Sequence, residues 1–256
     1  FADTAVEFML NNDFDGIDID WEYPCSSLAG IASSPDDKFT FTLMLQEIRN
    51  RLDSLEKERG KHYLLTVAAG AGEYFIEGTE MEKVQQYIDY LNLMTYDMRG
   101  SFQDITGHHT NLYEQSGEPE GISSEKAVDM FVNAGVPIEK IVLGAAFYSR
   151  IWHGVENVGT GLGRKAETTG SHSVSYTELL ESYINKNGYT RYWDDKAKAP
   201  YLFNGETFIS YDDEESMTCK AEFIKERGLA GIMFWEYSLD KSRTLLDSLY
   251  RTLVLK

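Results

Sequence analysis

The chain has little cysteine, no surplus of positive charge and no long apolar run, and each shortage removes a class of function. Its two cysteines, Cys25 and Cys219, form no CxxC pair, so a zinc site built on thiolates is not expected. Spacing alone does not decide whether the two pair. Acidic residues outnumber basic ones, 42 against 24, and the formal net charge is -18. Nucleic acid and anionic membrane both need a basic footprint, so neither is expected as a partner. The longest clean apolar run, IVLGAAFY, is too short to span a bilayer. No internal repeat or low-complexity tract is evident. The N-terminus, FADTAVEFML, has neither an initiating Met nor a signal peptide. Asp3 to Leu10 carries Ala5, Phe8 and Met9 on one side, as the end of an amphipathic helix does. A chain that starts in mid-helix reads as a piece of a longer protein.

What is present is enough for a large core: 256 residues, 42% of them hydrophobic. Five apolar runs read as buried parallel strands, at 14–20, 63–70, 90–96, 140–147 and 229–235. Helical patterns alternate with them, at 36–60, 81–89, 123–135, 214–228 and 240–254. Gly60 stops the first of these, and Ser123–Ser124 is an N-cap signal for the third. Strand–helix alternation predicts an α/β fold with parallel strands. The stretch 151–209 breaks the rhythm. It is polar, rich in Gly and Tyr, and holds β-like pieces (YLFNGETFISY) and one expected helix over 175–188. It reads as a small α+β insertion, which divides the chain into 1–150, 151–209 and 210–256.

One strand carries unusual chemistry. In FDGIDIDWEYP, side chains alternate faces with period two, so Asp18, Asp20 and Glu22 share one face and Ile17, Ile19 and Trp21 the other. Asp15 falls out of phase and belongs at the strand's entrance. Pro24 cannot continue a ladder, so the acidic row ends where an α/β fold keeps its active site. Three carboxylates on one expected buried face suit proton chemistry or a Mg²⁺ or Ca²⁺ site equally well.

DGIDIDWE resembles the DxxDxDxE signature of the family 18 glycoside hydrolases, the chitinase family. LNLMTYDMRG (91–100) is similar to that family's sixth barrel strand, LGAAFYSR (143–150) to its seventh, GIMFWEYSLD (231–240) to its eighth, and 151–209 to its insertion domain. The resemblance implies strands four to eight of a (β/α)8 TIM barrel, with strands one to three and their Ser-x-Gly-Gly motif absent from this sequence. Ser149 stands where the family usually has Gly, and Glu236 where many relatives have a small residue. Either further N-terminal strands or a second chain is therefore expected to complete the fold.

The implied activity is retaining hydrolysis of β-1,4-linked N-acetylglucosamine polymers, with no cofactor and no metal. Glu22 is the implied general acid/base, Asp20 and Asp18 support it, and Tyr96 hydrogen-bonds the acetamido oxygen. Asp97, Met94, Tyr23, Arg99, Phe147, Tyr148, Arg150 and Trp235 are the implied substrate contacts; Met94 suits packing equally. His108 and His109 lack a third ligand at metal spacing and read as loop packing. The family implies a secreted protein. Alternatives are a non-catalytic sugar-binding relative and a relative that cuts N-glycans or peptidoglycan.

Overall fold

The computed structural model describes residues 1–117 and 121–255. In chain order the elements are α1 (Ala2–Asn11), β1 (Gly16–Asp20), α2 (Asp37–Arg59), β2 (Leu64–Gly70), α3 (Glu73–Glu77), α4 (Met81–Val84), β3 (Tyr90–Met94), α5 (Ser124–Asn133), β4 (Ile141–Ala146), β5 (Arg150–Trp152), α6 (Tyr176–Glu178), β6 (Thr190–Asp194), β7 (Ala199–Phe203), β8 (Phe208–Ser210), α7 (Glu214–Arg227), β9 (Gly231–Trp235) and α8 (Thr244–Leu253). All five expected parallel-type strands form, as β1, β2, β3, β4 and β9. No helix among the described residues is long and apolar enough to cross a membrane.

The chain divides into two compact units. One is 1–94 with 128–142, and the other is 95–127 with 143–255 among the described residues. In the first, β1, β2 and β3 are parallel neighbours in that order, with Asp18 opposite Thr66 and Asp20 opposite Ala68. Leu65, Val67 and Ala69 of β2 are fully buried, as are Phe41, Leu45, Ile48 and Leu52 of α2. That spacing puts one stripe of α2 into the core, each large side chain contributing about 1.5–3 kcal/mol. Gly60 ends α2 in the left-handed region, its N–H donating to the Glu56 carbonyl at 2.8 Å.

β4, which lies in the second unit from Leu143 on, neighbours β9, and in that unit β5-β8-β7-β6 form an antiparallel sheet. β7 and β8 are the β-like pieces of YLFNGETFISY, joined at a turn where Asn204 Oδ1 accepts from Glu206 N and Thr207 N. α7 begins with a capping box between Asp213 and Ser216 and ends at left-handed Gly228. Asp240 holds the approach to α8 by accepting from the N–H groups of Ser242, Arg243 and Leu245.

Two expectations on element length fail. The helix over 175–188 stops at Tyr183, after α6 and a π-turn, because Asn185, Asn187 and Gly188 all take positive φ. The helix over 81–89 is only the four residues of α4, and α3 precedes it unannounced.

Gly16 lies so close to β2 that a Cβ there would meet the Leu64 carbonyl oxygen at 2.3 Å. Because that atom is backbone, relief requires separating the strands. Gly16→Ala is expected to lower unfolding free energy by about 1–3 kcal/mol in urea titration. An unchanged midpoint would show that β1 tolerates displacement there.

Candidate active site

Parity along β1 acts as expected. Ile19 is buried, Asp18 and Asp20 are exposed, and Asp15 lies outside the strand, paired with Lys61 at 2.6 Å. The acids are thus on one face, but among the described residues that face is open, contrary to the buried row expected. Asp18 Oδ1 accepts from Thr66 Oγ1 at 2.5 Å and from Asn92 Nδ2 at 3.1 Å. Both donors are neutral, supplied by the next two strands. Asn92 and Met94 are two apart on β3, so Met94 shares the acid-bearing face rather than the helix-packed one.

The Asp20 carboxyl is held above the usual carboxylate range. Although the residue is exposed at the surface, partial shielding of its carboxyl by its surroundings is the first cause, followed by the charges of Glu22 and Asp18 and a hydrogen bond with Glu22. Glu22 follows β1 and is half-buried. Its two neighbours anchor it. Trp21 packs edge-on to Phe41 at 5.8 Å, and Tyr23 lies 4.9 Å from Tyr74 and 6.2 Å from Phe75. Tyr23 also hydrogen-bonds Glu22 and Tyr74, and burial pushes its hydroxyl far up, out of reach of titration. Gly70 is required beneath this pair, since a Cβ there would sit 2.4 Å from Tyr74 Oη and 2.9 Å from the Tyr23 ring.

The second unit holds its own polar cluster. Asp97 takes a left-handed φ of 55° and receives two hydrogen bonds from Arg150, from Nε and Nη2, each 2.6 Å. His109 Nδ1 lies 3.6 Å from the same carboxylate. Burial would raise the Asp97 carboxyl, but the hydrogen bonds and charges of His109 and Arg150 take it well below the usual range. The Arg150 guanidinium also sits 5.3 Å from the Tyr148 ring centre, and Tyr96 meets that ring edge-on at 6.1 Å. Tyr96 Oη reaches Met233 Sδ at 3.8 Å. Trp235 ends β9 with 58% of its surface exposed.

Phe147 and His109 stand differently from their sequence reading. Phe147 is buried in the core, stacked on Phe234 at 4.3 Å, so its ring is not presented to solvent. Arg99 lies over Gly107, where a Cβ would come within 2.3 Å of its Cδ, and donates to the Ile105 carbonyl at 3.3 Å. His109, read as loop packing, is fully buried, but it faces Asp97 and packs on Tyr148 at 5.3 Å. His108 does serve loop packing, with Nε2 3.2 Å from Asp194 and its ring on Tyr201. The cysteines Cys25 and Cys219 are both free. Among the described residues no group of three or more His, Cys, Asp or Glu is arranged to hold a metal ion.

The model of the glycosyl hydrolases family 18 matches residues 1–240. The chain belongs to glycoside hydrolase family 18. Among its relatives, Chitinase A1 of Niallia circulans is 42% identical over 97% of the chain, and Chitinase B of Serratia marcescens 32% identical over 98%. The chain spans only 38% and 60% of those two relatives' lengths. A family 18 N-acetylglucosaminidase from Paenibacillus barengoltzii superposes with a TM-score of 0.97 at 55% identity, covering 99% of the chain and 75% of that structure. The Group IV chitinase of Ostrinia furnacalis, solved with allosamidin, gives 0.88 at 30% identity, over 100% of the chain and 72% of that structure. The fold class is accordingly the family's (β/α)8 barrel, with the chain carrying five of its strands among the described residues.

The depressed Asp97 carboxyl makes a signed prediction. A group whose folded pKa lies below its unfolded value of about 4 contributes its full stability above that pH and loses it as pH falls through the folded value. Asp97→Asn should therefore melt some degrees below wild type at pH 7, with the gap closing toward pH 2. A gap constant across that range would mean that Asp97 acts through shape and not charge.

Proposed function

We propose that the protein hydrolyses β-1,4 bonds between N-acetylglucosamine residues, in chitin or chito-oligosaccharides, with retention at the anomeric carbon. The observation that carries the reading is the acidic row on one face of β1, in which Asp20 has a raised pKa and hydrogen-bonds Glu22, within a chain of this family. In this scheme the substrate's own acetamido oxygen attacks the anomeric carbon while Glu22 gives its proton to the departing glycosidic oxygen. The product of that step is an oxazolinium ion and a free sugar hydroxyl. Glu22, now a carboxylate, takes a proton from water, which opens the ring from the face the leaving group left.

Asp20 releases Glu22 and turns to the acetamido N–H, orienting the attacking oxygen and stabilising the positive charge that develops. Asp18, tied to Thr66 and Asn92, fixes the row. Tyr96 hydrogen-bonds the acetamido oxygen, Asp97 and Arg150 hold sugar hydroxyls with Tyr148, and Trp235 offers an apolar floor. Tyr23, Met94 and Arg99 belong to the same substrate set. Phe147 supports it from the core. Residues 151–209 form the insertion, and further strands or a second chain complete the barrel. The protein acts outside the cell.

A non-catalytic sugar-binding role is disfavoured because the acid at Glu22 is present. Within the hydrolytic reading, the 55% identity to a structure described as an N-acetylglucosaminidase favours release of single sugars over internal cutting. Product analysis on chitotriose and longer oligomers, beside glycoprotein and peptidoglycan, separates these substrates.

Glu22→Gln in the full protein is expected to lower kcat by about 10²–10⁴-fold while substrate still binds, since the amide keeps shape but has no proton to give. Turnover near wild type would remove Glu22 from the mechanism. Asp20→Ala should lower kcat by about 10²-fold with a much smaller change in KM, because its help appears as the acetamido oxygen attacks. A raised KM at constant kcat would make Asp20 a binding residue only.

A further inference from the structure

We propose that Lys220 and Asp212 are positioning residues for the cluster formed by Tyr96, Asp97, Tyr148 and Arg150. Their contacts fall on residues beside that cluster. Lys220 is fully buried on α7, and Asp212, just before that helix, is 1% exposed. Lys220 Nζ donates to Asp212 Oδ2 at 2.5 Å and to Thr110 Oγ1 at 2.7 Å. Asp212 Oδ2 also accepts from the Ala146 N–H at 3.2 Å, and Oδ1 from Ser216 Oγ at 2.7 Å. Thr110 Oγ1 lies 2.9 Å from Asp212 Oδ2 and 3.2 Å from the Thr95 carbonyl, so its one proton serves either.

These contacts reach two backbone groups, the Ala146 N–H and the Thr95 carbonyl, and the Thr110 hydroxyl, all next to the cluster. Thr95 immediately precedes Tyr96 and Asp97. Ala146 lies two residues before Tyr148. Thr110 follows His109, whose ring stands behind Asp97 and against Tyr148. Thr95 and Gly144 are further joined by two hydrogen bonds through Thr95 Oγ1, at 2.7 and 2.9 Å. One buried ion pair thus holds the segment of Tyr148 directly at Ala146, and the segment of Tyr96 and the loop behind it through Thr110.

A buried pair of this kind is weak evidence for stability, since apolar or neutral replacement of both partners is often tolerated. Asp212 Oδ2 accepts from the Ala146 N–H directly, and both members of the pair hold the Thr110 hydroxyl beside the Thr95 carbonyl. Fixing geometry is therefore the role that accounts for it, as a site needs its supporting residues held to a fraction of an ångström. The inference rests on the reading of Tyr96, Asp97, Tyr148 and Arg150 as sugar contacts.

The test is the double variant Lys220→Met with Asp212→Asn, which leaves no unpaired buried charge, made in the full protein. Its thermal midpoint should stay within a few degrees of wild type, while kcat/KM on a chitotriose reporter falls tenfold or more. A crystal structure of the variant gives a readout independent of turnover, in which the paired 2.6 Å contacts of Asp97 with Arg150 are expected to be lost. If kcat/KM stays within twofold and those contacts persist, the pair only stabilises the fold and the proposal is overturned. A wild type inactive on the reporter would defeat the functional reading instead, and the crystal readout would then decide the positioning role. Should the double variant not fold, Thr110→Val removes the bridging hydroxyl at constant shape, and the same two readouts decide in the same way.

Discussion

Parallel register between Gly16–Asp20 and Leu64–Ala68 is the constraint from which the first unit's chemistry follows. Side chains on a strand alternate, so a slip of one residue would turn Asp18 and Asp20 toward the helices and Ile19 toward solvent. The register is fixed from both sides. Ile19 and the fully buried β2 residues Leu65 and Val67 need the core, and Asp18 needs Thr66, its direct partner across the ladder. Gly16 lets the strands approach closely enough at the start for that pairing to begin. Beyond Asp20 the ladder stops, and the aromatic contacts of Trp21 and Tyr23 take over the task of holding Glu22 between them.

The two polar clusters treat their carboxylates in opposite ways. Asp97 faces a guanidinium and an imidazole, and the result is a carboxyl held low. Asp20 is partly shielded from solvent and faces other acids, and the result is a carboxyl held high. The difference is what separates a group used as a fixed anion from a group used in proton traffic. Arg150 suits the first task better than a lysine, because its fork meets both carboxylate oxygens while its plane lies near the Tyr148 ring. The acidic row could not use such a partner. A cation beside Asp20 would stabilise its charge and remove the reason for a proton to remain in the row.

Much of this was legible in the residues, and the parts that were not have identifiable causes. The five parallel-type strands are short apolar runs bounded by charge or Gly, and each formed within two residues of its expected ends. The phase of Asp15 against Asp18 and Asp20 was legible because period two leaves no freedom. The family of the chain was legible in the resemblance of DGIDIDWE, followed in order by LNLMTYDMRG, LGAAFYSR and GIMFWEYSLD, to that family's strands; the carboxylate spacing alone suits a metal site equally well. Helix α3 was not, since five residues cannot display a period of 3.6. The early end of the 175–188 helix had a signal, two Asn within three residues before a Gly, that was outweighed by the apolar pattern ahead of it. The exposure of Asp18 and Asp20 depends on what lies over that face, which strand parity does not specify.

His109 and Phe147 show a different limit. A buried His in a loop and an aromatic at a strand end carry the same sequence signal whether they face a cluster or the core. What decides is the neighbour across space: Asp97 for one, Phe234 for the other. Those neighbours lie 12 and 87 positions away along the chain. The same holds for Lys220, which in sequence is one lysine of an acidic helix and in the fold is a fully buried cation. A lysine is rarely buried completely without a partner that takes its charge. Around that pair stand the Ala146 N–H and the hydroxyls of Thr110 and Ser216, and the Thr110 hydroxyl in turn reaches the Thr95 carbonyl. Charge deep in the second unit is thus converted into backbone position at the segments that carry Tyr96 and Tyr148.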